Sequence, residues 1–256
     1  MNFTDEQKKR YSRQLALPQI GKQGQEALLD AKVLVVGAGG LGSPVALYLA
    51  AAGVGNIGII DSDRVEISNL QRQILFDSES VGKSKVLEAK RRLEALNPDV
   101  RVKTYKDRLT TENAAEIISK YSIIADCSDN FATRFLINDA CLEKKKILVS
   151  GAVIGFSGQI STYKAFLGEG NPCYRCFCPQ IPEESTMPTC ITGGILGSVA
   201  GVLASLQATE IIKEILEITG SLSGNILIYD GLEVSFRKVK LAKLDGCKCS
   251  SKLAKE

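Results

Sequence analysis

The chain has 256 residues, with 32 Lys or Arg against 29 Asp or Glu, and it contains no histidine. The absence of histidine excludes any Ser–His or Cys–His catalytic pair, and any site in which histidine holds zinc or iron. A net charge of +3 is too small to indicate a nucleic-acid-binding protein.

The first half of the chain alternates short apolar runs with amphipathic segments. Strands are predicted at 33–37, 57–61, 100–105, 122–127 and 147–150, and helices at 41–52, 81–96, 111–120 and 131–142. Strands separated by helices of this length imply a parallel sheet with right-handed crossovers.

The pattern changes after Gly151. Longer alternating stretches at 158–166 and 225–240 predict antiparallel strands, with a turn signal at Asp230-Gly231. Residues 171–188, rich in Pro and Cys, predict an extended loop. We therefore expect a single α/β domain over residues 1–256, with a Rossmann-like, mostly parallel sheet extended by antiparallel strands. The half with alternating strands and helices spans about residues 1–150, and the second half spans about residues 151–256.

Residues 186–209 carry no charge and contain glycines spaced four apart. A pair of transmembrane helices uses such spacing, but the many Gly, Ser and Thr residues and the amphipathic continuation at 210–217 favour a helix buried in a core or subunit interface. The polar start, 1–11, lacks the apolar core of a signal peptide. We therefore expect a cytoplasmic protein that does not contact membranes.

A glycine motif follows the first strand and opens the first helix. Its sequence, GAGGLG at 37–42, satisfies G-x-G-x-x-G, in which the backbone approaches a phosphate and the helix N-terminus supplies N–H groups. Asp61 ends the next strand, where a carboxylate accepts both hydroxyls of a ribose. The expected nucleotide contacts here are Gly37, Gly39, Gly40, Gly42 and Asp61.

Charged and polar side chains follow Asp61, and they bear on which nucleotide binds. A cationic pair such as Arg72 and Lys85 suits a triphosphate, because it neutralises charge that develops on the phosphates. Lys85 taken alone is more typical of a solvated helix face. An NAD-dependent oxidoreductase is the alternative that the glycine motif and Asp61 alone support, and a non-catalytic module that binds nucleotide and partner is a third.

Five further motifs lie along nearly the whole chain. They are RYSRQ at 10–14, DSDRVEISNLQRQ at 61–73, VGKSK at 81–85, DCSDN at 126–130 and CYRC at 173–176. Together they resemble the ThiF/MoeB/HesA family of adenylyltransferases, which are prokaryotic relatives of ubiquitin-activating enzymes.

The resemblance implies a reaction and its participants. Members of this family bind ATP and Mg²⁺ and adenylate the C-terminal glycine carboxylate of a small ubiquitin-like sulfur carrier ending in Gly-Gly, releasing pyrophosphate for thiamin, molybdopterin or related sulfur transfer. A C-terminal carboxylate has a pKa of about 3.3–3.7 and is ionised at neutral pH, so this chemistry needs no histidine as a base.

The resemblance also implies residue roles. Gly40 and Asp61 correspond to ATP contacts, and Asp129 corresponds to the acid that organises Mg²⁺. Arg13 corresponds to an arginine that reaches into the site of the neighbouring subunit, which implies a homodimer. The phosphates are held by Asn69, Arg72 and Lys85, and the expected nucleotide-binding set is completed by Asp63, Gln73 and Asn130.

The eight cysteines suggest thiolate or metal chemistry. Cys173 and Cys176, together with Cys247 and Cys249, supply enough thiolates for a tetrahedral structural zinc site, with buried thiols or a disulfide as the alternatives. In the family two C-x-x-C pairs hold such a zinc. The second pair here is C-x-C, so Cys249 is the least certain ligand and Cys178 is its candidate replacement.

Cys190 lies just before the predicted buried helix. It is either an inert thiol or a candidate catalytic nucleophile, because a helix N-terminus favours a thiolate. The resemblance places it where some family members form a covalent link with the carrier. Cys127 and Cys141 fall on a buried strand and a helix, where we expect core packing.

Overall fold

Eight strands form one sheet at the centre of the computed structural model, which describes residues 3–168, 170–180 and 193–251. The strands are β1 (Lys32–Val36), β2 (Asn56–Ile60), β3 (Arg101–Tyr105), β4 (Ile123–Asp126), β5 (Ile147–Ile154), β6 (Ser157–Tyr163), β7 (Asn225–Asp230) and β8 (Ser235–Lys240). In the described chain the helices are α1 (Asp5–Arg10), α2 (Ser12–Leu15), α3 (Gly21–Asp30), α4 (Gly42–Ala52), α5 (Lys85–Leu96), α6 (Ala114–Ser119), α7 (Phe131–Glu143), α8 (Tyr174–Phe177), α9 (Gly197–Ile215) and α10 (Lys248–Ser251).

The strand order is β3-β2-β1-β4-β5-β6-β7-β8. The first five strands in this order are parallel, and β6, β7 and β8 continue the sheet in antiparallel pairing. The order 3-2-1-4-5 is that of a nucleotide-binding α/β half, with its crevice at the carboxyl ends of the strands. The predicted Rossmann-like sheet with an antiparallel extension is confirmed.

Helices cover both faces of the parallel strands, which explains their continuous apolar runs. Along β1, Val33 and Val35 join the core beneath α4, α5 and α9, whereas Leu34 and Val36 join the core beneath α6, α7 and α8. Successive side chains of a strand point to opposite faces, so each strand contributes to both cores.

The structure moves several predicted boundaries. The helix predicted at 81–96 begins at Lys85, because Gly82 adopts a φ of +82° and Ser84 is extended at the N-cap. The stretch predicted at 225–240 divides into β7 and β8 at the expected turn. Residues 171–180 contain the short helix α8, and 181–188 lie outside the described residues.

Helix α9 lies in the core as expected, and its described part begins at Gly197. Near its C-terminus the acids of the amphipathic stretch face inwards. Glu210 accepts hydrogen bonds from Thr162 Oγ1 at 3.1 Å and Leu222 N at 2.9 Å, and Glu214 pairs with Lys164 Nζ at 2.6 Å. Across the described ranges, no helix has the length and apolarity needed to cross a membrane.

Helices α1, α2 and α3 precede the first strand, in a region for which no element was predicted. A buried polar network anchors them. Tyr11, 1% exposed, donates to Asp99 Oδ2 at 2.9 Å and accepts from Asn97 Nδ2 at 2.9 Å, and the same amide also donates to Ala50 O at 2.7 Å. Burial raises the pKa of Tyr11 to about 12, so its hydroxyl stays protonated at neutral pH.

This network gives a testable stability prediction. Replacing Tyr11 with Phe removes both hydrogen bonds and leaves the Asn97 amide and Asp99 carboxylate short of one partner each. We expect the free energy of unfolding to fall by about 1–3 kcal/mol, measured by urea denaturation. Tyr48→Phe is the matched control, because Tyr48 is 53% exposed. Equal midpoints for the two variants would contradict the network's role.

Candidate active site and cysteine cluster

A cavity of about 890 Å³ lies at the carboxyl ends of the parallel strands and extends over the antiparallel strands. Both halves of the chain line it: the loops after β1 to β4 on one part, and residues such as Ala152, Gln159 and Ile228 on another. Of the predicted nucleotide-binding residues, the cavity wall contains Gly37, Gly39, Gly40, Asp61, Asp63, Arg72, Gln73, Lys85, Asp129 and Asn130.

The glycine loop takes its shape from two backbone constraints. Gly37 has a φ of +91°, and a Cβ there would lie 3.0 Å from Cys127 O. A Cβ on Gly42 would lie 1.8 Å from Gly37 O. Gly42, predicted as a nucleotide contact, is not among the described residues lining the cavity; it lets α4 approach the loop.

Asp61 ties two loops together. Its Oδ2 accepts from Ala38 N at 2.8 Å, and its Oδ1 accepts from Asp63 N at 2.8 Å. A carboxylate offers about four acceptor positions, so the bonds leave capacity for ribose hydroxyls. The carboxylate therefore fixes the glycine loop relative to the segment after β2 while it lines the cavity.

The two cations predicted to hold phosphates, Arg72 and Lys85, both line this wall. Lys85, whose side chain is 6% exposed, places Nζ 3.0 Å from Asp63 Oδ2, so it does not lie on a solvated helix face. Arg72 donates from Nη1 to Ser68 O at 3.1 Å, and its aliphatic part lies over Gly40. Asn69 Oδ1 accepts from Glu66 N at 3.2 Å, and Asn69 is not among the described residues that line the cavity.

The polar groups of the cavity wall are suited to bind a nucleotide. Gln73 is buried, and its Oε1 lacks a hydrogen-bond partner among the residues that the structure describes. A buried unpaired acceptor costs about 1–3 kcal/mol, which a hydroxyl donor in the cavity would remove. Helix α4 begins directly after the glycine loop and has no side-chain cap, so its terminal N–H groups suit a phosphate.

The loop that carries Asp129 rests on a buried network that sequence reasoning missed. Asp126, at the end of β4, bonds to Ser128, Ser150 and Arg134, and Arg134 also donates to Ser128 O. The sequence feature that could have predicted this network is Arg134, an arginine near the start of α7, close to the ends of the strands. Asp107 and Arg108, which follow β3, also line the cavity.

The four cysteines predicted as metal ligands meet in one cluster, with their sulfurs within 4.8 Å of one another. The Sγ–Sγ distances are 4.0 Å for Cys173–Cys176, 3.5 Å for Cys173–Cys247 and 3.5 Å for Cys176–Cys249. A disulfide requires about 2.05 Å. Four sulfurs about 2.3 Å from one ion lie about 3.8 Å apart in a tetrahedron, so the cluster fits zinc.

The electrostatics of the cluster also fit a cation. Burial, followed by the hydrogen bonds with Cys176 and Cys247, raises the pKa of Cys249 to about 11, and burial likewise raises the pKa of Cys173. For Cys176, hydrogen bonds outweigh burial and lower the pKa. Thiolates crowded this closely need a positive charge among them. Cys178 lies outside the cluster; its Sγ donates to Gln180 O at 3.3 Å, and it lines the cavity instead.

Helix α7 holds the first cysteine pair in place. Tyr174 N donates to Asn138 Oδ1 at 2.8 Å, and Arg175 forms two bonds of 2.7 Å to Asp139. The Arg175 guanidinium also lies 4.3 Å from the centre of the Phe135 ring. Tyr174 and its neighbours Phe177 and Cys178 line the cavity, so this turn belongs to both the cluster and the cavity.

The remaining predicted residues fall elsewhere. Arg13 is exposed on α2 and is not among the described residues lining the cavity. Cys190 lies outside the described residues. Cys127 and Cys141 are buried, and burial raises the pKa of both thiols, as expected for core packing.

The strand order, the glycine loop and the cavity above it define a Rossmann-like α/β protein that carries a four-cysteine cluster on its second half. The chain belongs to the ThiF family, whose sequence profile matches residues 11–251. The resemblance drawn from the sequence motifs is confirmed.

Two relatives illustrate the range of the family. The chain is 49% identical over 249 residues to the sulfur carrier protein adenylyltransferase of Thermus thermophilus, covering 96% of this chain and 92% of that protein. It is 50% identical over 243 residues to the adenylyltransferase and sulfurtransferase MOCS3 of Culex quinquefasciatus, covering 94% of this chain and 55% of that protein. The chain thus spans about half the length of MOCS3.

Solved structures share the fold. The crystal structure of E. coli MccB with ATP superposes with a TM-score of 0.78 at 20% identity, covering 98% of this chain and 82% of that chain. The crystal structure of E. coli MccB with AMPCPP and selenomethionine MccA superposes with a TM-score of 0.80 at 23% identity, covering 94% of this chain and 73% of that chain.

The cysteine cluster gives a testable prediction on metal content. We expect one zinc ion per purified chain, and we expect Cys249→Ser to lose most of it, because a serine hydroxyl is a far poorer ligand for zinc. Cys178→Ser is the matched control and keeps its zinc. Metal analysis by plasma emission measures both. Zinc retained in Cys249→Ser but lost in Cys178→Ser would reverse the assignment.

Proposed function

We propose that this chain is an ATP-dependent adenylyltransferase that activates the C-terminal carboxylate of a small ubiquitin-like sulfur carrier protein. The observation that carries the proposal is the joint placement of Arg72, Lys85 and Asp129 around the glycine loop in one cavity. The similarity to the Thermus thermophilus sulfur carrier protein adenylyltransferase supports the same activity. Carriers of the thiamin and molybdopterin type are both candidates.

The reaction needs positioning more than proton transfer. A carrier's terminal carboxylate oxygen attacks the α-phosphorus of ATP, a new P–O bond forms, and the bond to the bridging oxygen of the β-phosphate breaks. Pyrophosphate leaves and the carrier becomes an acyl-adenylate. Because the carboxylate is already ionised, the chain has to supply orientation and positive charge.

The chain's own residues meet this need. Arg72 and Lys85 neutralise charge on the phosphates, and the Asp63 carboxylate holds the Lys85 ammonium at 3.0 Å. Asp61 and Gln73 receive the ribose, and Gly39 and Gly40 admit the phosphates close to the backbone. Asp129, with Asn130 beside it, holds Mg²⁺, which supplies further charge neutralisation when bound with ATP.

Further elements complete the proposal. Arg13 is exposed and away from its own cavity, which supports a homodimer in which it completes the partner's site. Cys173, Cys176, Cys247 and Cys249 hold a structural zinc. A cysteine cluster that holds a metal instead of forming disulfides is typical of a reducing compartment, which supports a cytoplasmic location. For Cys190 we retain a covalent role with the carrier as a separate proposal.

Exchange of labelled pyrophosphate into ATP tests the activity. We expect exchange that depends on the carrier in the wild type, and a fall of about 100-fold or more in Lys85→Met, because a fixed charge near the phosphates is removed. Asp129→Ala should reduce exchange similarly. Lys83→Met is the matched control, since Lys83 is exposed two residues away, and it should keep wild-type exchange.

Calorimetry separates this proposal from the oxidoreductase alternative. We expect ATP to bind the wild type, and we expect NAD(H) not to compete with it. Tight NAD(H) binding without ATP binding would overturn the adenylyltransferase proposal. Exchange that ignores the carrier, or that survives the loss of Asp129, would also count against it.

A further inference from the structure

One buried carboxylate underlies the loop that carries Asp129. Asp126 is 1% exposed at the end of β4, and four hydrogen bonds reach its two oxygens. Oδ1 accepts from Ser128 N at 3.0 Å and from Ser128 Oγ at 2.6 Å. Oδ2 accepts from Ser150 Oγ at 2.7 Å and from Arg134 Nη1 at 3.3 Å.

Arg134 provides the matching charge from the next helix. Its side chain is 9% exposed, and Nη1 also donates to Ser150 Oγ at 3.2 Å. Its Nη2 donates to the carbonyl oxygen of Ser128. The Ser150 hydroxyl therefore bridges the Asp126 carboxylate and the Arg134 guanidinium, which orients both of them.

These contacts fix the backbone on both sides of Asp129. At Ser128 the N–H, the hydroxyl and the carbonyl oxygen are all bonded to the pair of Asp126 and Arg134. Asn130 is held as the N-cap of α7, because its Oδ1 accepts from Thr133 N at 2.9 Å. Asp129 lies between these two fixed residues, is exposed, and lines the cavity.

We propose that Arg134 and Ser150 are positioning residues that set the Asp129 carboxylate for a divalent cation bound with the triphosphate. The inference rests on the proposed function, since it assigns the cation to Asp129. Its physical basis is the narrow geometry that Mg²⁺ demands, with octahedral ligands at about 2.0–2.1 Å. A loop free to shift by a fraction of an ångström would hold the cation poorly, although the rest of the nucleotide site stays intact.

Ser150→Ala tests the proposal, because it deletes the bridging hydroxyl without leaving a buried charge unpaired. The readout is the dissociation constant of ATP measured by calorimetry, once with Mg²⁺ and once with EDTA. We expect the dissociation constant measured in EDTA to equal the wild-type value. We expect the factor by which Mg²⁺ tightens ATP binding to fall about tenfold, because one hydrogen bond to a charged group is lost. Ser150→Thr, which keeps the hydroxyl, should restore it.

Ser161→Ala is the matched control. Ser161 pairs with Ser150 across β5 and β6, is also buried, and donates to Asn225 O at 2.7 Å instead. We expect this variant to lose similar stability and to keep the wild-type effect of Mg²⁺. If both alanine variants lower the melting temperature and neither changes the Mg²⁺ effect, Ser150 is merely structural and the proposal is wrong.

Arg134→Lys provides a second test with the buried charge retained. Lysine can still pair with Asp126 but cannot also reach Ser128 O and Ser150 with a planar fork, so we expect part of the Mg²⁺ effect to be lost. A wild-type effect in this variant would overturn the role of Arg134. If Mg²⁺ fails to strengthen ATP binding in the wild type itself, the assignment of Asp129 and this inference fall together. If Mg²⁺ strengthens ATP binding equally in the wild type and in the Ser150 and Arg134 variants, only this inference is wrong and the proposed function stands.

Discussion

Parallel strands impose one constraint on this molecule: five of them end at the same edge of the sheet. The glycine loop, Asp61 and Asp129 follow three of these ends, which is why residues distant in sequence share one cavity. Two carboxylates hold the loops that follow these three strand ends. Asp61 joins the loops after β1 and β2, and Asp126 orders the loop after β4. Hydrogen bonds from backbone N–H groups to these two carboxylates therefore hold the cavity loops together.

The parallel half was predictable because its strands are buried on both faces and read as apolar runs. The glycine motif and Asp61 were predictable from their register with those strands. Gly42 and Asn69 show that the spacing of a motif does not reveal the role of each of its residues. Both belong to the predicted motifs, and in the structure Gly42 lets α4 approach the glycine loop while Asn69 Oδ1 accepts from Glu66 N. Residues of one motif can shape a site or contact its ligand, and spacing alone does not distinguish the two roles.

Other features could not be read from the sequence because their partners are distant along the chain. The choice between Cys249 and Cys178 depended on where residues 247–249 fold back, which no local pattern encodes. Glu210 and Glu214 look like the polar side of an amphipathic helix, yet they bond to Thr162, Leu222 and Lys164 in the interior. Tertiary hydrogen bonds outweighed the local pattern in each case.

The turn from Cys173 to Cys178 has a consequence for how such a protein can change. This six-residue turn contributes to two sites. Cys173 and Cys176 belong to the cysteine cluster, whereas Tyr174 and Phe177 line the cavity. An insertion or deletion of one residue would therefore exchange the two faces. Both faces fix the length of the turn from Cys173 to Cys178, so a change within it would alter the cysteine cluster and the cavity together.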